Sequence, residues 1–319
     1  MRRNLIIGGL GQDGRLLCQN LMIRNEKVLC IVKNNELSRQ VPGVKYLSIS
    51  SPNTYSYSKI LGDYNPDVIF NLASLSSVAA SQESPEKSLR FNYELVVVLM
   101  GAIQYYLSRF PSKRLKLIQA GSSEMIGESS SAVNESSLMK PKTLYGKHKQ
   151  LAYNFLESQK GKLTNLEISN LILFNHESIF RPDYFVSQKI AYAAAARKSQ
   201  KLTLIKFGNI DIERDWGCAR EYVDAIRLVG TQMSSENYVV ASGKLVRVRE
   251  ILGHALNYVG QSDSDLNSFI DLVFFRQVET APLVGDASKI AQSLGWKANR
   301  SIYSVIEEMI DFQIRELRV

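Results

Sequence analysis

Short apolar runs separated by longer amphipathic stretches dominate the first half of the chain. The spacing of apolar residues in segments such as Gly14–Arg24 and Ser88–Phe110 predicts helices. The apolar runs are rich in Val, Ile and Leu and predict buried strands at Asn4–Ile7, Val28–Val32, Val44–Ile49, Val68–Leu72, Leu115–Ala120 and Ile168–Phe174. Strands that alternate with helices form βαβ units, so the pattern predicts an α/β fold with a parallel, doubly wound sheet.

The alternation becomes irregular after Phe174, and the chain ends in an amphipathic stretch, Ile302–Leu317, that predicts a helix. We therefore expect a smaller C-terminal domain that binds the substrate. The predicted division assigns residues 1–174 and 211–236 to a nucleotide-binding domain, and residues 175–210 and 237–319 to the second domain. Ligands of such sheets bind beyond the carboxyl ends of the strands, so the residues just after each strand are the candidates for function.

Composition excludes few classes of protein. The chain has 319 residues and a net charge of +8, but its Lys and Arg residues are spread out rather than clustered with aromatic residues, so we expect no nucleic-acid partner. No signal peptide or membrane span is predicted. Cys18, Cys30 and Cys218 lack the spacing of metal ligands. We expect a cytoplasmic protein without a bound metal.

Three glycines follow the first predicted strand. Gly8, Gly11 and Gly14 have the spacing G-x-x-G-x-x-G between a strand and a helix. In such a turn the first glycine permits the bend, the second lets backbone N–H groups approach a pyrophosphate, and the third allows close helix packing. The helix N-terminus adds partial positive charge. A glycine triplet alone can be an ordinary turn, but in this setting it predicts a dinucleotide site in a Rossmann-type domain.

The end of the second predicted strand indicates which dinucleotide binds. An NAD site usually has Asp or Glu there to bind the ribose 2′-hydroxyl. Here Val32 is followed by Lys33-Asn34-Asn35, with Arg39 further on. A cation accommodates a 2′-phosphate, so the sequence favours NADP; the alternative is that Lys33 is merely solvated.

A tyrosine and a lysine form the next candidate pair. Tyr145 and Lys149 are four residues apart, so they share one face of a helix. An ammonium group near a phenol favours the phenolate and lowers a pKa that is normally about 10. A serine directly after the strand Leu115–Ala120 could complete an acid–base group. Such a pair alone is common on solvated helices, but downstream of a nucleotide-binding turn it predicts a catalytic site.

Longer motifs extend along almost the whole chain. They are Gly11-Gln12-Asp13-Gly14, Asn71-Leu72-Ala73, Glu83-Ser84-Pro85-Glu86, Ser123-Glu124-Met125, Phe174-Asn175-His176-Glu177-Ser178, Arg214-Asp215-Trp216-Gly217, Ala219-Arg220-Glu221-Tyr222-Val223, Gly285-Asp286 and Leu294-Gly295-Trp296. With these motifs the chain resembles the extended short-chain dehydrogenase/reductases, and within them the GDP-mannose 4,6-dehydratases.

The resemblance implies a lyase that recycles its NADP within one turnover. Tyr145 would take the proton of the sugar 4-hydroxyl while hydride leaves C4, with Ser122 bonded to the 4-oxygen. Lys149 would hold the nicotinamide ribose. Glu124 would then remove the C5 proton as general base before water leaves from C6, and the hydride would return to C6. Epimerases and reductases of the superfamily need no such base, and the alternative for Glu124 is a surface carboxylate.

The resemblance also implies the binding residues. The cofactor would be bound by Gly8, Gly11, Gln12, Asp13, Gly14, Lys33, Leu72, Ala73, Tyr145 and Lys149. The nucleotide-sugar, GDP-mannose or a relative, would be bound by Asn175, Lys189, Arg214, Arg276 and Glu279. His176 is expected to be a structural histidine with satisfied hydrogen bonds rather than a catalyst.

Several positions depart from the family pattern. They are Ile7 for threonine, Ser48 and Ser51 for acidic residues, Ser77 for histidine, Gly121 for serine, Ile126 for tyrosine, Ile179 for proline, and Phe180-Arg181 for an arginine pair. The acid–base residues remain, so we expect a divergent member that retains the chemistry, with the identity of its substrate left open. In the family the arginine pair helps subunits share a cofactor loop, so its loss favours a homodimer, with a tetramer still possible.

Two other functions remain open from the sequence. One is an NADPH-dependent reductase or an epimerase acting on a nucleotide-linked sugar. The other is an NADP-binding sensor or scaffold without catalytic activity, against which the presence of Ser122, Tyr145 and Lys149 argues.

Overall fold

The structure is a computed structural model that describes residues 1–33, 39–201, 205–261, 266–271, 273 and 281–317. Within these ranges the strands are β1 (Arg3–Ile7), β2 (Lys27–Val32), β3 (Lys45–Ser48), β4 (Val68–Asn71), β5 (Leu115–Ala120), β6 (Leu166–Leu173), β7 (Asn175–Glu177), β8 (Glu213–Cys218), β9 (Tyr238–Val240) and β10 (Leu245–Arg247).

The helices are α1 (Gln12–Ile23), α2 (Thr54–Tyr64), α3 (Val78–Glu83), α4 (Pro85–Leu89), α5 (Leu95–Arg109), α6 (Leu144–Glu157), α7 (Val186–Lys198), α8 (Ala219–Thr231), α9 (Val248–Tyr258), α10 (Ser288–Leu294) and α11 (Ile302–Leu317). A π-helical turn, Arg90–Glu94, joins α4 to α5, and 3₁₀ turns lie at Ser123–Met125 and Leu266–Phe269.

Seven strands form a parallel sheet in the order β3-β2-β1-β4-β5-β6-β9. Alternate residues of β1 pack on opposite faces of it. Leu5 and Ile7 belong to a core that contains α2 and α5, whereas Ile6 belongs to the core that contains α1 and α8. Helices therefore cover both faces, which explains why these strands are almost uniformly apolar.

A second, smaller sheet has the order β10-β8-β7 and adjoins a third apolar core. This core lies among helices α7, α9 and α11. Trp216 of β8 is buried in it and donates its indole N–H to the carbonyl of Val246 on β10 (3.0 Å). Strand β7 pairs in parallel with β8, aligning Asn175 with Trp216. Since β7 follows directly on β6, this small sheet brings the second half of the chain to the carboxyl edge of the large one.

The predicted α/β class, doubly wound parallel sheet and smaller C-terminal region are confirmed. All six predicted strands are present within two residues of their expected ends, and α11 has the predicted bounds. The domain boundaries remain a prediction. One observation bears on them: β9, which the prediction gives to the second domain, is hydrogen bonded to β6 of the large sheet. Among the described residues, no helix combines the length and apolar character needed to cross a bilayer.

Candidate active site

The glycine turn lies between β1 and the N-terminus of α1. Gly8 adopts a φ of +92°, and a Cβ there would lie 2.8 Å from the backbone nitrogen of Ala73. Packing alone does not require a glycine at Gly11, because a Cβ there would lie 3.5 Å from the Gly8 carbonyl oxygen, an ordinary contact distance. Gly11 precedes the first turn of α1 and gives it no side-chain cap. The open space and the helix N-terminus fit a pyrophosphate.

Gln12 and Asp13 connect this turn to β7. The Gln12 amide donates to the carbonyl oxygen of His176 (3.0 Å) and accepts from the Ser178 hydroxyl (2.9 Å). The His176 ring contacts both carboxylate oxygens of Asp13 through Nε2 (3.0 Å) and the carbonyl oxygen of Phe174 through Nδ1 (2.6 Å). His176 is therefore a structural residue with both ring nitrogens hydrogen bonded, as expected from the sequence.

The His176 and Asp13 side chains form a buried ion pair. Burial alone would lower the pKa of His176, but the Asp13 carboxylate raises it above its usual value. Burial likewise opposes ionisation of Asp13, yet the charge and hydrogen bond of His176 lower the pKa of Asp13. When His176 is protonated, its charge offsets a negative charge placed beside the turn that would hold the pyrophosphate.

The two cationic residues that follow β2 differ in their position relative to the cavity, a difference that the sequence did not predict. The Lys33 ammonium lies 5.4 Å from the centre of the Phe91 ring, on the exposed side of the strand end. Arg39, by contrast, lines the same cavity as the glycine turn. Burial and the charge of Arg39 lower the pKa of Arg15 on α1, which shows that two cations lie close together here. Arg39 is therefore better placed than Lys33 to meet a 2′-phosphate.

The candidate catalytic residues come from β5 and α6. Ser122 follows β5, and its hydroxyl accepts a hydrogen bond from the Glu124 backbone N–H (3.2 Å). Thr143 caps α6 by accepting from the Gly146 N–H (3.0 Å), and its hydroxyl also donates to the Glu124 carboxylate (3.2 Å). A Cβ at Gly146 would overlap the carbonyl oxygen of Glu124. Glycine at this position therefore lets the first turn of α6, which carries Tyr145, pack directly against Glu124.

Tyr145 and Lys149 are both buried in this corner. Burial raises the pKa of Tyr145, although hydrogen bonds with Ser74 and Ser122 oppose the shift. Burial lowers the pKa of Lys149 to about 8, and its ammonium donates to the carbonyl oxygen of Ala120 (2.8 Å). The sequence predicted a lowered pKa for Tyr145 through Lys149. The structure contradicts this, because desolvation of the phenol outweighs the nearby hydrogen bonds and charges.

One cavity of about 640 Å³ connects these groups. It is lined by the glycine turn and by Leu72, Ser122, Glu124, Tyr145 and Lys149. Three of the predicted substrate residues, Asn175, Lys189 and Arg214, line it as well. The remaining two, Arg276 and Glu279, lie outside the described residues. Predicted residues from separate segments of the chain therefore face one volume, which is in the usual range for small-molecule sites.

Two further residues in the cavity were not predicted to be functional. Arg181 pairs with the buried carboxylate of Glu177 (3.1 Å), and its guanidinium stacks on the Phe185 ring. Its charge opposes the rise that burial causes in the pKa of Tyr145. Ser74 lines the same cavity, and its hydroxyl donates to Asn92 Oδ1 (2.7 Å). The sequence marked Arg181 only as the remaining half of an arginine pair, and nothing in the local pattern distinguishes Ser74 from its neighbours Ser76 and Ser77.

Comparisons with known proteins agree with this geometry. A model of the GDP-mannose 4,6 dehydratase family matches residues 5–309. GDP-mannose 4,6 dehydratase 1 of Arabidopsis thaliana is 31% identical over 96% of this chain and 88% of its own length. The fold matches that of UDP-glucose 4-epimerase from Thermotoga maritima (TM-score 0.85, 18% identity, 99% of both chains). It also matches RMD from Pseudomonas aeruginosa, solved with NADPH (TM-score 0.78, 18% identity, 99% of this chain and 100% of that one). The chain belongs to the GDP-mannose 4,6-dehydratase family.

Proposed function

We propose that the protein is an NADP-dependent hydro-lyase that converts GDP-mannose, or a closely related nucleotide-hexose, to the 4-keto-6-deoxy sugar. The observation that carries the proposal is the position of Glu124. Its carboxylate lines the same cavity as Ser122, Tyr145 and Lys149, and Thr143 ties it to the helix that bears Tyr145. A dehydratase needs such a base in addition to the hydride-transfer residues, whereas a reductase or epimerase does not.

The residues act in two stages. In the first, Tyr145 accepts the proton of the sugar 4-hydroxyl and Ser122 donates a hydrogen bond to the 4-oxygen. A bound NADP would supply the hydride chemistry, an oxidation at C4 and a reduction at C6. In the second stage, the new 4-ketone acidifies the C5 proton, Glu124 removes that proton, and hydroxide leaves C6 with it as water. The proton that Tyr145 accepted in the first stage is returned to C5 as C6 is reduced. The sum is loss of one water with no net oxidation.

Nearby positive charges favour the phenolate form of Tyr145, which accepts the proton in the first stage. Because burial raises the pKa of Tyr145, the phenolate needs positive charge close by. Lys149, with a pKa of about 8, is mostly protonated at neutral pH, and its ammonium lies 5.9 Å from the centre of the Tyr145 ring. The charge of Arg181, which lines the same cavity, also opposes the rise in the pKa of Tyr145.

The substrate half of the cavity fits an anionic ligand. Lys189 and Arg214 line it and suit a diphosphate, and Asn175 supplies an amide for a hydroxyl or carbonyl group. We assign the cofactor 2′-phosphate to the neighbourhood of Arg39, and the pyrophosphate to the turn around Gly11.

The test combines a substrate panel with an isotope label. Purified protein is incubated with a catalytic amount of NADP and with either GDP-mannose or one of its UDP-, CDP- and dTDP-hexose counterparts. The masses of the products are then measured by mass spectrometry. Loss of one water from one nucleotide-sugar is expected. With deuterium at C4 of the substrate, the deuterium is expected at C6 of the product. Stoichiometric consumption of NADPH without loss of water would contradict the proposal and identify a reductase.

Two variants separate the stages. Tyr145→Phe is expected to abolish oxidation at C4. Glu124→Gln is expected to retain it, so that reduced cofactor and the 4-keto sugar accumulate while water loss fails. Glu128→Gln is the matched control, because that carboxylate is exposed and paired with Lys142 (3.1 Å). Dehydration at the normal rate by Glu124→Gln would show that the base is misassigned.

We also propose that the protein is cytoplasmic. The three cysteines are free thiols, as in a reducing compartment.

We further propose that the protein forms a homodimer through helices. Tyr105 on α5 and Leu151 on α6 are large apolar side chains that remain about half exposed, 53% and 44% respectively. Light scattering coupled to size-exclusion chromatography tests the assembly: a dimer mass is expected for the natural chain, and a shift to monomer for Leu151→Glu.

A further inference from the structure

Thr143 makes two side-chain hydrogen bonds at the N-terminus of α6, one with the backbone and one with the proposed base. Its Oγ1 accepts from the backbone N–H of Gly146 (3.0 Å) and donates to Oε2 of Glu124 (3.2 Å). Thr143 is buried, at 4% exposure, whereas Glu124 lines the active-site cavity. Thr143 therefore contacts the base from within the protein, and the proposed chemistry gives it no role so far.

The two contacts of the Thr143 hydroxyl fix its direction. A hydroxyl has one proton to donate, and a backbone N–H can only donate. The bond from Gly146 therefore uses a lone pair of Oγ1, and the proton remains for Glu124. Thr143 donates and Glu124 accepts, whether or not the other oxygen of Glu124 carries a proton.

The backbone on both sides of this contact is also fixed. Glu124 lies in the 3₁₀ turn Ser123–Met125, and its N–H donates to the Ser122 hydroxyl (3.2 Å). The absence of a side chain at Gly146 lets the Glu124 carbonyl lie directly against α6. A fixed backbone does not by itself fix the carboxylate, because a glutamate side chain has several rotatable bonds and many rotamers. The hydrogen bond from Thr143 restricts the last of these rotations.

The two carboxylate oxygens of Glu124 differ as a result. Oε2 accepts from Thr143, whereas Oε1 receives no hydrogen bond from the part of the chain that the structure describes. A general base must present a free lone pair to the proton that it removes, at a defined position. The geometry therefore makes Oε1 the oxygen available to the substrate.

We propose that Thr143 is a positioning residue of the dehydratase site, which holds Oε2 of Glu124 so that Oε1 removes the C5 proton. In this step the C5–H bond breaks and the Oε1–H bond forms. The same proton then passes from Oε1 to the hydroxide that leaves C6, giving water and restoring the carboxylate. The bond from Thr143 to Oε2 persists throughout. The assignment rests on the proposed function.

The test separates the two stages of the reaction in a single turnover. With the NADP-loaded enzyme in excess over GDP-mannose, absorbance of reduced cofactor follows oxidation at C4, and mass spectrometry of quenched samples follows water loss. Thr143→Val has nearly the shape of threonine but no hydroxyl. It is expected to slow water loss roughly ten- to hundredfold, with C4 oxidation and the KM of the nucleotide-sugar within about threefold. Reduced cofactor should therefore accumulate.

Two further substitutions at Thr143 separate this role from the capping of α6. Thr143→Ser retains both hydrogen bonds and should restore most of the rate of water loss. Thr143→Gly also lacks the hydroxyl, but glycine is tolerated at an N-cap, so it should slow water loss selectively in a more stable protein than Thr143→Val. The matched control is Asn53→Val, which removes the cap of α2 outside the cavity lining and should leave the ratio of the two rates unchanged.

A double variant tests whether Thr143 acts through Glu124. If it does, adding Thr143→Val to Glu124→Gln should change the residual rate of water loss less than about twofold. A further large loss in the double variant, equal slowing of both stages in Thr143→Val, or a serine variant as slow as the valine one would each overturn the proposal. A natural chain that releases no water from any nucleotide-sugar would instead refute the proposed function, and the assignment of Thr143 with it.

Discussion

The buried lysine of β5, Lys116, allows a quantitative prediction of how the free energy of unfolding depends on pH. The residue is fully buried and donates to the Ser169 hydroxyl (2.7 Å) and to the carbonyl oxygen of Ser234. Burial lowers its pKa from 10.5 to about 8. A lysine whose pKa is lower in the folded than in the unfolded state destabilises the fold while it is charged, and the penalty disappears as the pH rises through the window between the two values.

The size of the effect follows from the two pKa values. One pKa unit corresponds to about 1.4 kcal/mol, so the full penalty is about 3 kcal/mol well below pH 8. The linkage expression leaves nearly the full penalty at pH 7.5 and about 1 kcal/mol at pH 10. Lys116→Met removes this pH-dependent part. It also removes two hydrogen bonds, a loss that does not vary with pH.

The assay is urea unfolding of the natural chain and of Lys116→Met at several pH values between 7.5 and 10. Relative to the variant, the natural chain should gain about 2 kcal/mol of unfolding free energy across this range. Other titrating groups affect both proteins equally and cancel in the difference. Activity should be unchanged, because Lys116 lies near the start of β5, at the opposite end of the strand from Ser122. A difference that stays constant with pH would refute the reasoning.

Two further predictions concern the site. Gly146→Ala should lower the unfolding free energy by about 1–3 kcal/mol through overlap with the Glu124 carbonyl, and should lower kcat more than it raises KM, as measured by urea unfolding and steady-state kinetics. Gly62→Ala, in an open position of α2, is the control and should stabilise by up to about 1 kcal/mol. Arg39→Ala should weaken binding of NADPH roughly tenfold and of NADH little, by fluorescence titration, with a smaller change for Lys33→Ala. Equal losses for both cofactors would contradict the assignment of Arg39.

The sequence predicted the large sheet well because its strands are buried on both faces. Such strands read as uninterrupted apolar runs, and β5 was placed with its observed bounds. No bounds were predicted for strands β7, β8, β9 and β10. Strand β7, for example, contains Asn175, His176 and Glu177, and its polar residues are satisfied by contacts with distant segments such as Asp13. Tertiary hydrogen bonds of this kind leave no periodic signal in the local sequence.

The residues of the candidate site likewise fall into two groups, those that the sequence predicts and those that it does not. Residues that follow strand ends or share a helix turn, such as Ser122, Tyr145 and Lys149, were predictable because backbone geometry alone brings them together. The place of Arg39 at the cavity depends on which way a loop side chain points, and no local pattern of the sequence predicts this. The pKa of Tyr145 was predicted with the wrong sign for a related reason, because burial is a property of the folded whole.

The contacts among the site residues indicate whether the reaction type or the substrate preference can diverge from the family. The groups proposed for proton transfer stand on β5 and α6, where Thr143, Glu124 and Gly146 hold one another in contact, so a change in one disturbs the others. Ser77 and Phe180, two of the departures from the family pattern, lie outside this cluster. Ser77 caps α3 at the cavity wall, and the Phe180 ring stacks on the guanidinium of Arg15 (3.6 Å). We therefore expect the reaction type to be retained, and any divergence to appear as a changed preference within the nucleotide-sugar panel.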